Sequence, residues 1–179
     1  MSIFHDSFLA LDEDHLNLKL LLDALENKNF DDFKACALKG LSFNGKNHKL
    51  YQYYHSLLLS LEGDLGSAKD ILNETKPASF FEIDIARKVT KNFVKKIEQQ
   101  TPNSTTLTLG NFQKQHELSD SEKKDIMNLL WGTGKIIGGI FIFVSGHPGA
   151  GIGMMTNGAI EIGKEILKML ATNYQITTD

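Results

Sequence analysis

Over the first hundred positions, apolar residues recur at the 3.6-residue period of amphipathic helices. Within residues 14–26 the stripe is Leu18, Leu21, Leu22 and Leu25, and Asn27 and Asn29 interrupt it. Phe30, Phe33, Ala37 and Leu41 mark a second helix over 30–41, with Gly40 and then Asn44-Gly45 as its stop and turn. Leu50, Tyr54, Leu57, Leu58 and Leu61 mark a third helix over 50–61, ended by Gly63-Asp64. A shorter fourth helix spans 65–73, and Pro77 closes it. The fifth opens on Ser79 and Glu82, a capping box in which hydroxyl and carboxylate each satisfy an orphan backbone N–H. Its stripe is Ile83, Ala86, Val89, Phe93 and Ile97, and it frays in the polar run 99–104.

The pattern then changes. Residues 105–109, TTLTL, are rich in β-formers but too short to predict a strand. Ser119 and Glu122 form a second capping box, with Asp120 favouring a helix start through the dipole. This helix leads into the apolar run 126–144, interrupted only by Asn128, Thr133 and Lys135. The run is near the lower length limit for crossing a bilayer, and its central lysine costs about 2.5–3.5 kcal/mol there. It reads either as a buried core element or as a membrane element, with Trp131 as core residue or interfacial anchor. Gly132, Gly134, Gly138 and Gly139 would each cost about 1 kcal/mol in a water-exposed helix. The segment is therefore broken, extended near 140–144, or buried. Gly134/Gly138 and Gly149/Gly153 are G-x-x-x-G pairs, which permit close backbone approach. A last amphipathic helix is expected over 156–171, with Ala159, Ile162, Ile166, Met169 and Leu170 on its apolar face and a frayed tail after it.

Composition narrows the class. The chain has 179 residues, 41% apolar and 23% charged, which suits one soluble globular domain or a domain with an appendage. The net charge of −3 argues against a general nucleic-acid binder. A lone cysteine, Cys36, excludes an intramolecular disulfide framework and fits a cytoplasmic setting. The first residues lack the charge and apolar pattern of a secretory signal. Arg87 is the only arginine, which removes the usual planar bidentate clamp for carboxylate or phosphate.

Two helix pairs repeat at a 35-residue offset, with Lys28-Asn29-Phe30 aligned on Gly63-Asp64-Leu65. Gly63-Asp64, Ala68 and the following Pro77 resemble the tetratricopeptide repeat, whose period is about 34 residues. The resemblance covers residues 14–77, extending to 99 if the fifth helix caps the stack. Phe33 stands where that family has a small residue, Pro77 comes early, and the third helix is one residue out of phase. The resemblance implies stacked antiparallel helical hairpins that hold a peptide or partner helix in a groove lined by the first helix of each pair. That would put Tyr51, Tyr53 and His55 in the groove; the alternative is that these aromatics pack the core.

Other motifs weigh less. Residues 146–153, GHPGAGIG, follow an apolar run as a phosphate-binding loop does, but Ile152 and Gly153 replace its Lys and Ser/Thr. A tight turn explains the same glycines. The six histidines show no H-E-x-x-H and no paired ligand spacing, so no metal or other cofactor is expected. Cys36 reads as a structural thiol, with a Cys–His pair as the enzyme alternative. Lys88, Lys91, Lys95 and Lys96 fall on one side of the fifth helix, as a solvated face or a site for an acidic partner or lipid.

The expectation is an all-α protein. Residues 1–100 form the hairpin stack, 101–116 a polar connector, and 117–179 a glycine-rich apolar hairpin with an amphipathic last helix. The function expected is non-catalytic binding of a protein or peptide, as an adaptor. The alternative is a peripheral membrane protein, such as a secreted bacterial effector, whose 126–171 hairpin docks on lipid. Trp131, Ile137, Phe141 and Phe143 would then make the membrane or partner contact.

Overall fold

The computed structural model describes residues 3–45, 47–75, 81–100, 120–144 and 148–162. They form seven α-helices and no strand, so the fold is all-α as expected. These are α1 (Ile3–Glu26), α2 (Phe30–Gly40), α3 (His48–Leu61), α4 (Leu65–Glu74), α5 (Phe81–Gln100), α6 (Asp120–Val144) and α7 (Pro148–Ile162). The TTLTL stretch, the connector, Ser79, Ser119 and everything after residue 162 lie outside the described residues. α1 starts earlier than its leucine stripe suggests, since no glycine or proline interrupts residues 3–26.

The two inter-helix turns repeat bond for bond. At the end of α1, Asn29 N–H donates to Ala24 O and Lys28 N–H to Leu25 O. At the end of α3, Asp64 N–H donates to Leu59 O and Gly63 N–H to Ser60 O, each partner 35 residues on. This is the Schellman closure, which needs a left-handed residue at its corner. Gly63 supplies it at φ 91°, and Lys28 supplies it at φ 54° against the steric preference of an L side chain. The next residue then caps the following helix: Asn29 accepts from Asp32 N–H and Asp64 from Ser67 N–H. The Ser67 bonds hold the Asp64 carboxyl below its ordinary range. Lys34 and Lys69, also 35 apart, pair with Glu62 at 2.8 Å and Glu98 at 2.7 Å.

α3 is apolar on nearly every side and is buried on nearly every side, packing against α2, α4, α5 and α6. Its polar groups are satisfied inside the protein. Ser56 Oγ donates to Ala68 O at 2.9 Å, and Tyr51 Oη donates to Asp14 Oδ1 at 3.0 Å while accepting from Asn17. The Tyr51 ring lies against Gly40, where any Cβ would collide with it. Gly40 is thus the last residue of α2, as its place as a stop suggests, and a seat for a ring, and Leu41 caps the helix in right-handed conformation.

α6 is one unbroken helix to Val144, so of the three alternatives, broken, extended or buried, the buried one holds. Burial offsets its glycines, because residues 130–141 are all buried against α1, α3, α5 and α7. Gly134 faces Leu25, and Gly138 faces Tyr54, Leu22 and Met154. Tyr54 Oη donates to Gly134 O at 2.8 Å, and a Cβ on Gly138 would lie 2.8 Å from that hydroxyl. The G-x-x-x-G pair is therefore a notch that receives a tyrosine. Lys135 is 3% exposed; its ammonium donates to Asn157 Oδ1 at 3.0 Å and lies 3.9 Å from the Glu26 carboxylate. These contacts reconcile a cation with an apolar helix.

α7 corrects two expectations. Residues 148–153 are helical, with Pro148 at the first position where its missing N–H costs nothing, so those glycines are not part of a turn, and residues 145–147 lie outside the described residues. The last helix also begins at 148 instead of 156. Gly151 packs on Gly139 and Gly158 on Gly132, an antiparallel match in which each virtual Cβ meets a carbonyl oxygen across the interface at 2.5–2.7 Å. Gly149 and Gly153, the expected pair, face open space. Gly151→Ala should therefore lower stability by about 1–3 kcal/mol, because backbone must move. Gly153→Ala should raise it by about 1 kcal/mol through helix propensity alone. Urea denaturation of the two variants against wild type checks both signs.

Candidate functional site: a basic groove between α4 and α5

Of the three residues expected to line a groove on α3, Tyr51 and Tyr53 are core and His55 is half-buried. Tyr51 and Tyr53 are fully buried, and Tyr53 stacks edge-on against Phe141 at 6.2 Å. Burial pushes both the Tyr51 and Tyr54 hydroxyls well above the usual tyrosine range. The residues expected to touch membrane or partner are likewise turned inward. Trp131, Ile137 and Phe141 are at most 5% exposed, and Phe143 is half-buried. Phe33, the departure from the repeat pattern, packs edge-on against Tyr54 at 5.2 Å and Trp131 at 6.2 Å. Its size is needed to bridge the stack to α6, a job that Ala68 at the equivalent place does not have.

The physical reason is that α6 packs on α1, α3 and α5, the first helix of each pair and the helix after them. The face on which the repeat resemblance places a groove is thus covered by the chain's own apolar helix. α6 is long and apolar enough over Lys124–Phe143 to cross a membrane, yet 72% of that stretch is buried inside the protein.

An open concavity lies elsewhere, between α4 and α5. It encloses about 640 Å³ and is lined by Lys69, Leu72 and Asn73 of α4 and by Arg87, Lys91, Val94, Lys95, Glu98 and Gln99 of α5. The spacings i, i+3, i+4 on α4 and i, i+4, i+7, i+8 on α5 put each set on one helical face. Leu72 and Val94 form the floor, 3% and 1% exposed. Four cations and one carboxylate form the rim, so this island is positive on a chain whose net charge is −3. Glu98 is engaged by Lys69. Arg87, the only arginine, donates Nε–H to Leu72 O at 2.8 Å. That carbonyl is one of the last four of α4 and also accepts from Thr75 Oγ1 at 3.4 Å, so the Arg87 bond helps cap α4 and holds the guanidinium at the groove.

The lysine cluster of the fifth helix is divided by the structure. Lys91 and Lys95 line the groove with exposed side chains, whereas Lys88 and Lys96 are not part of its lining. The α4 wall could not be read from sequence, because Lys69, Leu72 and Asn73 gain meaning only when α5 packs beside them. The signal that did exist was the helical spacing of Lys91 and Lys95.

Other candidate chemistry stays dispersed. Burial and the nearby Asp32 push the half-buried Cys36 thiol upward, against thiolate formation. Among the described residues no three His, Cys, Asp or Glu side chains converge as a metal site. No family model matches the chain, and neither a curated protein nor a solved structure matches it.

His55 is half-buried on α3, and burial holds its imidazole below the ordinary value of 6.5, with Glu62 acting in the opposite sense. The unfolded chain therefore binds more protons than the folded one just below pH 6.5. The stability that neutral His55 contributes is complete above that value and is lost as pH falls through the lower folded pKa. Urea midpoints should fall on acidification from about pH 7.5 to about pH 5, and less steeply in His55→Gln.

Proposed function

We propose that the chain is a non-catalytic protein–protein interaction module, similar to tetratricopeptide-repeat adaptors, that receives a partner segment between α4 and α5. The observation that carries this reading is the α4/α5 groove, with its apolar floor and fixed cationic rim. The repeated turns and the repeated Lys34 and Lys69 ion pairs support a stack built on one unit. Because α6 covers the inner face, the accessible concavity is the one between α4 and α5.

The reading is tested by selecting a random peptide library on the full chain and scoring the enriched peptides against Asn73→Trp and Gln99→Trp. Both positions are exposed on the groove wall, so the indole fills the groove without entering the core. Enriched peptides should bind each variant at least about tenfold more weakly, the effect of losing about 1.4 kcal/mol. Peptides that bind wild type and both variants equally, or no enrichment, would overturn it.

A second reading has the α6–α7 hairpin leave the stack and dock on lipid. The length and composition of Lys124–Phe143 favour it, and the burial of that stretch weighs against it. In liposome flotation with phosphatidylserine-containing vesicles the full chain should stay in the soluble fraction; flotation would favour the membrane reading.

A further inference from the structure

We infer that the partner of the α4/α5 groove is an acidic amphipathic helix, with carboxylates one turn apart flanking small apolar anchors. This deepens the proposed interaction function and rests on it.

The argument is one of charge and spacing. Arg87, Lys91 and Lys95 stand at i, i+4 and i+8 along α5. At 1.5 Å per residue they form a row with steps of about 6 Å. Carboxylates at i, i+4 and i+8 of a helix lying along the groove have the same step, so three ion pairs can form in one register. Apolar residues between them pack on the alkyl stems of the lysines, above the nearly closed floor of Leu72 and Val94. The row from Arg87 to Glu98 is about 16 Å long, three turns of such a partner. Glu98 at the far end, already paired with Lys69, would repel a fourth carboxylate and so sets the register.

A phosphate-bearing partner fits less well. A surface that reads nucleic acid or lipid headgroups presents its basic patch or stripe to open solvent, and this row lies on the rim of a narrow groove. The rest of the chain is acidic, with −3 overall, so a polyanion larger than the groove meets repulsion outside it. Within the groove, one arginine held by the α4 backbone supplies a planar fork suited to a carboxylate, and the flanking lysines supply point charges.

The test is fluorescence anisotropy of the full chain with a labelled 16-residue helical peptide carrying Glu at every fourth position and Leu before each Glu. Binding should weaken at least about tenfold when Glu is replaced by Gln, and by a similar factor in Lys91→Glu/Lys95→Glu. Both lysines are exposed, so thermal melts should show the variant folded. Affinity should fall as salt rises, and a peptide with Lys in place of Glu should bind the charge-reversed variant better than it binds wild type. Equal binding of the Glu and Gln peptides would overturn the inference. If library peptides still depend on Asn73 and Gln99, the interaction reading then survives without it. Binding of a dT20 oligonucleotide or of phosphatidylserine vesicles that depends on Lys91 and Lys95, with no binding of the Glu peptide, would also overturn it, in favour of a phosphate-bearing partner.

Discussion

The Tyr54 hydroxyl is the point on which the two halves of this protein close. It leaves the most buried helix of the stack and donates to the Gly134 carbonyl of α6 at 2.8 Å. It reaches that carbonyl only because residue 138, one turn on, has no side chain. The interaction is a constraint as much as an attraction. A buried phenol left without a partner costs about 1–3 kcal/mol, so α6 is held in the one register that offers the carbonyl. Around it, Phe33 and Trp131 fill the remaining space edge to face, and Leu25 seats on Gly134. Lys135 is held on the neighbouring side by Asn157 of α7 and lies near Glu26 of α1.

Once α6 is fixed, much else follows. Its glycines each have an assigned neighbour, which is why a helix with four of them need not break. Gly134 and Gly138 admit side chains of the stack, Gly139 admits the backbone of α7, and the Gly132 carbonyl faces Gly158. The cover that α6 provides also closes the inner face of the stack. With α1, α3 and α5 packed against it, the tyrosines of α3 are structural. Access shifts to the outer groove, where the only arginine of the chain helps cap α4 and faces solvent with Lys91 and Lys95.

Local order was largely legible in the sequence. The stripes of the first five helices and the turn at Gly63-Asp64 follow from periodicity and capping chemistry, which act over a few residues. The 35-residue offset was visible in composition and became a matched set of hydrogen bonds, even though Lys28 hid one of the two left-handed corners. What was not legible was which face meets which. Tyr51, Tyr53 and Tyr54 differ little in sequence, yet Tyr51 is buried against Gly40 of α2 with its hydroxyl on Asp14 and Asn17 of α1, while Tyr53 and Tyr54 are buried against Phe141 and the glycines of α6. The glycine run was ambiguous for the same reason: a G-x-x-x-G pair permits close approach without naming the neighbour, and Gly149 and Gly153 have none. The groove needed two helices distant in helical phase to be brought side by side before its cations formed a row.

The docking of α6 is tested most directly by a double-mutant cycle on Tyr54→Phe and Gly138→Ala, read by urea denaturation. Each single change should destabilise, the first through the lost hydrogen bond and the second through the collision of the new methyl with the hydroxyl. Removing the hydroxyl makes room for the methyl, so the double variant should be more stable than the sum of the singles by more than about 0.5 kcal/mol. Additivity within about 0.3 kcal/mol would mean that the two groups do not meet, and the arrangement of α6 on the stack described above would be wrong.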